Sequence, residues 1–169
     1  MERRGGTVYS VEAYLGVMRN TPKASEQLDY AQKLLSLNGL TTEQQEEARY
    51  YRAKASLEKK DKTQAESDLK ELTKNVKSLF GAKAAVELGE LYLADARLSD
   101  AESLLVEFTD EGTPHQYWLA RGFIVLADVY AAQGKTSLAK EYVKSLRDNY
   151  PGSEPDIHDM INQRLKNYK

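Results

Sequence analysis

Two histidines, His115 and His158, are the first candidates for chemistry, because imidazole is the common acid–base group and metal ligand near neutral pH. They lie 43 residues apart in a chain that has no cysteine. No His-Glu-x-x-His spacing joins them on one helix face, so zinc or thiolate chemistry has no motif to start from. His115 falls instead in the first turn of a helix, where exposure or local hydrogen bonding accounts for it. Serines are plentiful, yet none sits in the Gly-x-Ser-x-Gly turn that presents a nucleophilic hydroxyl. Gln133-Gly134-Lys135-Thr136 imitates the end of a phosphate loop. It lacks the upstream glycine and follows a helix, and helix termination at Gly134 explains it. No catalytic residue, cofactor or metal is expected.

Aromatic and charged residues are what remain. The chain has 11 tyrosines and one tryptophan, side chains that anchor many interfaces. Tyr92, Tyr130 and Tyr142 read as packing residues. Tyr50 and Tyr51 are adjacent on one helix and point about 100° apart, so both cannot be deeply buried. Tyr51, Tyr117 and Trp118 are the candidate surface anchors. Arg49, Arg52, Lys54, Lys59, Lys60 and Lys62 follow Glu43, Glu46 and Glu47. That acidic-to-basic order suits the helix dipole and reads as a solvated face.

Charged residues make up 30% of the 169 and nearly cancel, leaving a net charge of −2. Proteins that neutralise nucleic-acid phosphates are usually strongly basic, so no nucleic-acid partner is expected. No apolar run approaches the roughly 18–20 residues that span a bilayer. Met1 to Gly6 carries two arginines with no apolar stretch behind them, unlike a signal peptide. The natural chain is expected to extend upstream of Met1, carrying any targeting signal with it.

The elements that hold these residues are helices. Strand-type alternation is missing, and alanine, leucine, glutamate and lysine dominate. Helices are predicted over about 8–19, 22–37, 42–59, 63–78, 82–96, 99–111, 113–134, 137–149 and 155–168. Thr21, Thr42, Ser99 and Thr113 are the expected N-caps of four of them, the last two within capping boxes. Asn38-Gly39 and Gly134 are the expected stops. Ile157, Met160, Ile161 and Leu165 form one apolar stripe on the last helix, as a terminal cap requires.

A fixed period runs through the second half. Leu88-Gly89-x-x-Tyr92 with Ala101 recurs 38 residues later as Leu126-Ala127-x-x-Tyr130 with Ala139. Ala65-Glu66-Ser67 precedes Ala101-Glu102-Ser103 by 36. Self-similarity at such a period signals stacked helix pairs. Small residues at 89, 101, 127 and 139 let backbones approach, and the two tyrosines fill the angle between paired helices.

On these residues, with Leu105, Phe123, Val143, Leu146 and Pro151, the chain resembles the tetratricopeptide repeat (TPR) family. The resemblance implies an all-α, right-handed superhelix of stacked antiparallel helix pairs. It organises residues 1–169 as one domain: a divergent pair (1–40), a degenerate repeat (41–78), two repeats (82–112 and 113–152) and a capping helix (153–169). The stretch from Gly112-Thr113-Pro114-His115-Gln116-Tyr117-Trp118 to Tyr130 is similar to the C-terminal region of large bacterial cell-envelope members, over about residues 45–169. That likeness implies a periplasmic or envelope location.

In this family the first helix of each pair lines a concave groove that takes a peptide or a partner helix. Its register implies that Tyr50, Lys54, Lys83, Glu90, Arg121 and Asp128 face the groove, with Lys54, Lys83 and Arg121 able to grip a carboxylate. The implied function is a non-catalytic protein–protein interaction scaffold, part of a larger envelope-associated protein. An outer-membrane assembly factor and a self-associating module are the alternatives. A monomer is slightly favoured over an oligomer.

Overall fold

The computed structural model describes residues 3–169, with side chains from Ser10 onward. The described residues form nine α-helices: α1 (Arg3–Asn20), α2 (Ala24–Leu35), α3 (Thr42–Glu58), α4 (Lys62–Leu72), α5 (Leu79–Ala94), α6 (Leu98–Glu111), α7 (Gln116–Ala132), α8 (Thr136–Asn149) and α9 (Pro155–Asn167). A short 3-10 turn, Thr73–Asn75, follows α4, and the described residues contain no strand. The all-α class is as expected. The chain divides into two compact units, Met1–Lys74 with α1–α4 and Asn75–Lys169 with α5–α9.

In the first unit, Val11, Leu15 and Met18 lie on one face of α1, as helical spacing places them. They pack with Ala31 and Leu34 of α2, Leu40 of the following loop and Ala48 of α3. Tyr51 packs against this core, so one candidate anchor is partly absorbed by folding. The charges of α3 depart from the solvated reading. Glu47 is buried and accepts two N–H bonds from Arg19, at 2.5 and 2.7 Å. Arg52 makes a bidentate pair with Asp68 of α4, at 2.9 and 2.7 Å, and Asp68 is 1% exposed. These acids link helices, as the bidentate guanidinium–carboxylate geometry favours.

Several helix ends also shift. Thr41, not Thr42, caps α3, completing a capping box with Gln44. Helix α2 begins after Lys23 without a side-chain cap, and Thr21 only accepts a turn bond from the Lys23 amide. Ser78 caps α5, whose first turn therefore starts three residues before the expected Ala82. Ser99 lies one residue inside α6, and the position before α7 belongs to His115 rather than Thr113.

The reason for the α6 shift is a turn used three times. Lys60, Ala96 and Gly134 all adopt left-handed backbone, with φ of 64°, 58° and 80°. After each, the next amide reaches back to a carbonyl five residues earlier: Asp61 to Ser56, Arg97 to Tyr92 and Lys135 to Tyr130, at 2.8, 2.8 and 2.9 Å. This is the Schellman end of a helix, and it leaves one residue before the next helix starts. Four residues beyond that one, Ala65, Ala101 and Ala139 are each fully buried. A helix–turn–helix unit therefore recurs at spacings of 36 and 38, the differences between 60, 96 and 134.

Alanine and lysine are strained at φ > 0, whereas glycine is not. Ala96→Gly, at an exposed position, is expected to raise stability by about 0.5–1 kcal/mol. A urea midpoint that falls instead of rising contradicts the left-handed turn.

In the second unit α6 lies against both α5 and α7 through glycine contacts. A Cβ on Gly89 would meet Leu105 Cδ1 and Cδ2 at 2.9 Å, and one on Gly122 would meet the Phe108 ring at 2.6 Å. Leu105 and Phe108, one turn apart on α6, are thus seated on bare backbone of the two flanking helices. Leu88, Ala127 and Val143 are buried alongside them, and Ile157 and Ile161 of α9 complete the core.

Candidate interaction surface

Helix α7 is the hub of the second unit, packing on α5, α6, α8 and α9. Its sequence is apolar nearly all round, with Ile124, Val125, Leu126, Ala127 and Val129 buried. A helix of that kind needs partners on most of its faces. Where α5, α7 and α9 converge they leave an open cavity of about 460 Å³. Leu93 and Ala94 of α5, Ile124 and Val125 of α7 and Met160 of α9 supply its apolar lining. Glu90, Arg121, Asp128, Gln163 and Arg164 supply the polar part.

Two ion pairs bracket this lining. Arg121 Nη2 donates to Glu90 Oε1 at 3.0 Å, joining α7 to α5. Arg164 of α9 places Nε and Nη2 on the Asp128 carboxylate at 2.8–3.1 Å, and the Tyr168 hydroxyl donates to the same group. At the other end of α9, the Tyr117 hydroxyl donates to Asp156 at 2.5 Å and accepts from Arg121 Nη1 at 3.2 Å. Both ends of α9 are thereby tied to α7 by a phenol–carboxylate contact.

An aromatic–cation cluster adjoins Arg121. Tyr117 and Trp118 meet edge to face at 5.1 Å. Lys83 Nζ lies 5.5 Å from the Trp118 ring and 5.4 Å from Phe80. The Arg121 guanidinium lies 5.6 Å from Trp118. Such contacts hold a cation against the ring face and restrain its rotamer.

Glu90, Arg121 and Asp128 therefore line one cavity, with Lys83 and Trp118 grouped beside Arg121. Tyr50, Tyr51 and Lys54 lie on α3 in the first unit, where the Tyr50 and Tyr51 rings meet edge to face at 6.0 Å. Leu88, Gly89, Tyr92, Ala101, Leu126, Ala127, Tyr130 and Ala139 are all buried in the second unit. Two groove candidates carry contacts that their spacing did not announce: Arg121 is engaged by Glu90 and Tyr117, and Asp128 by Arg164 and Tyr168. The contribution of α9 was missed. Arg164 and Tyr168 continue at steps of four from Met160 at the stripe's edge, and that was the available signal.

Burial works against the Arg121 charge, but hydrogen bonds to Tyr117 and Glu90 outweigh it and hold its pKa above the ordinary value. The bond to Asp156, aided by burial, raises Tyr117, and burial followed by the Asp128 bond raises Tyr168. Burial first, then a bond with Tyr142, pushes Tyr130 up to about 12. A phenol raised in the folded state contributes stability that is complete below its unfolded pKa, near 10.0. That contribution is lost as pH rises through the folded value. Phenolate absorbance is thus expected to show a set of tyrosines silent past pH 10 that ionise together with loss of helical signal. Tyr168→Phe should shrink that set by one. Eleven phenols titrating near pH 10 with the helices intact contradict these contacts.

Among the described residues no group of three or more histidine or acidic side chains is placed to hold a metal ion. No helix among them is long and apolar enough to cross a membrane. Compared with protein-family models, with curated proteins and with solved structures, the chain gives no match.

Proposed function

We propose that the chain is a non-catalytic protein–protein interaction scaffold of tetratricopeptide-like design, binding a peptide or partner helix in the groove between α5, α7 and α9. The observation that carries this reading is the cavity of about 460 Å³, with an apolar lining between two fixed ion pairs. A floor of leucine, isoleucine, valine and methionine accepts a bulky side chain, and methionine adapts to its shape. The bracketing charges are held in place before a ligand arrives, which lowers the ordering cost of binding. The repeat spacing and the threefold Schellman turn support a right-handed stack of helix pairs. The likeness of residues 112–130 to large envelope proteins supports a place in a larger, envelope-associated polypeptide facing the periplasm.

Affinity capture from an envelope extract of the source organism tests the reading, with wild-type chain beside Leu93→Glu. Leu93 is half-buried and lines the cavity, so a glutamate there obstructs the groove while the fold persists, as circular dichroism checks. A protein retained by wild type and lost by the variant supports the groove. Equal retention by both moves recognition elsewhere.

A further inference from the structure

Helices α6 and α8 both pack on α7 but not on each other, which leaves a valley with one flank of α7 as its floor. We infer that this valley docks a basic amphipathic helix from a partner protein, on a surface separate from the α5–α7–α9 groove.

The floor is apolar and aromatic. On the α8 side of that floor a cavity of about 580 Å³ is lined by Leu119 and Phe123 of α7, Tyr142 and Leu146 of α8, and Tyr150 and Pro151 beyond it. Leu119, Phe123, Tyr142 and Leu146 are half-buried, so the fold leaves apolar surface exposed in one strip. The rings are braced, Tyr142 lying 6.3 Å from Phe123 and 5.2 Å from Tyr130. Helix-in-groove recognition uses such a strip, filling it with side chains spaced three and four apart.

Charge decides the partner's sign. Helix α6 carries five carboxylates, Asp100, Glu102, Glu107, Asp110 and Glu111, and no lysine or arginine. A second cleft, of about 690 Å³, is lined by α6 alone and includes Glu107 and Asp110. The charges of Glu102 and Asp110 contribute, after burial and the Tyr142 bond, to raising the Tyr130 phenol. They therefore act on the same aromatic floor.

Among the described residues, the cations that reach α6 do so at its ends. Arg97 pairs with Asp100, Lys135 comes within 3.9 Å of Glu102, and Lys77 donates to the carbonyls of Glu111 and Gly112. Among the described residues, Glu107 and Asp110 in between take part in no ion pair, and neither does Glu141, which lines the cavity from α8. The remaining charges of α8 are Lys140, Lys144 and the pair Arg147–Asp148, whose contact is 3.0 Å. The acidic helix α6 on one side of the floor and Glu141, which lines the cavity from α8, complement a helix with leucine-type anchors and flanking lysine or arginine. The 17 residues of α7 give the valley a length of about 25 Å, enough for a helix of roughly 15 residues.

The test uses the full chain and two labelled amphipathic peptides of about 15 residues, one of leucine and lysine, the other of leucine and glutamate. Fluorescence anisotropy gives affinity, and NMR shift changes give the location. The lysine peptide is expected to bind with shifts on Leu119, Phe123, Tyr142 and Leu146, and the glutamate peptide not to bind. A Glu107→Lys, Asp110→Lys, Glu141→Lys variant should weaken the lysine peptide at least about tenfold, as removal of charge complementarity does. These three side chains are exposed, so the melting temperature should hold. Leu146→Glu, a second variant, should weaken binding through the floor. Three results overturn the inference: affinity unchanged by both variants, shifts confined to α5 and α9, or a dimer in sedimentation that the charge reversal dissolves. The last would make a second copy of the chain the occupant.

Discussion

Asp68→Ala is expected to cost the protein about 2–4 kcal/mol, enough to lower the urea midpoint by a large fraction of its value. The side chain is 1% exposed and holds three donors besides Arg49 at 3.5 Å: Arg52 Nε and Nη2 at 2.9 and 2.7 Å, and Gln64 Nε2 at 3.1 Å. Removing the acid leaves a guanidinium and an amide facing a cavity, and the residual charge then carries most of the penalty. The figure stays below that of a fully buried pair because the Arg52 and Arg49 side chains keep 20% and 32% exposure, so water repays part of the loss. Asp68→Asn keeps the shape and one acceptor and should lose about half as much. Hydrogen exchange should report the loss as faster exchange in α3 and α4. If Asp68→Ala melts like wild type, the carboxylate is a surface group and the α3–α4 link described above is wrong.

That link also marks where sequence reasoning stops. Helix identity was legible because apolar residues recur with helical spacing over long segments. The repeat was legible where its signature residues survive, at Leu88 to Ala101 and Leu126 to Ala139. Its first copy was dim because Ser56 replaces the tyrosine. The left-handed turn was dim because Lys60 and Ala96 stand where glycine announces a stop; only Gly134 carries the usual sign. The start of α6 moved for the same reason, since the geometry of the preceding turn, not the nearby Ser99, decides which residue precedes the helix. Long-range partners were invisible. Glu47 and Arg19 are 28 positions apart, and Asp128 and Arg164 are 36 apart. Local charge order gives no hint of either pair. The chemistry of α9 was hidden behind its apolar stripe: Ile157 and Ile161 are buried, as the stripe implies, while Arg164 and Tyr168 point to an acid on another helix.

The packing of α6 yields a prediction that changes sign with its background. Phe108 is 1% exposed, and its truncation to alanine is expected to cost about 3–5 kcal/mol, as loss of a buried aromatic does. Gly122 lies directly under that ring, where a Cβ would come within 2.6 Å of Cε1 and 2.8 Å of Cδ1. Those distances are below any tolerated contact, and a buried ring wedged between helices cannot swing aside as a surface side chain would. Gly122→Ala in the wild-type background should therefore destabilise by about 1–2 kcal/mol: overpacking of about 1–3 kcal/mol outweighs the helix-propensity gain of about 1 kcal/mol. With Phe108→Ala already present the ring is gone. The added methyl then fills part of the cavity and keeps its propensity advantage, so Gly122→Ala should stabilise by about 1 kcal/mol. The resulting coupling of about 2–3 kcal/mol in a double-mutant cycle lies within the range found for residues in direct contact. Additive effects would mean that Gly122 and Phe108 do not meet and that α6 lies against α7 in some other register. The cycle thus tests the α6–α7 contact, one wall of the acidic valley, with no knowledge of what the valley binds.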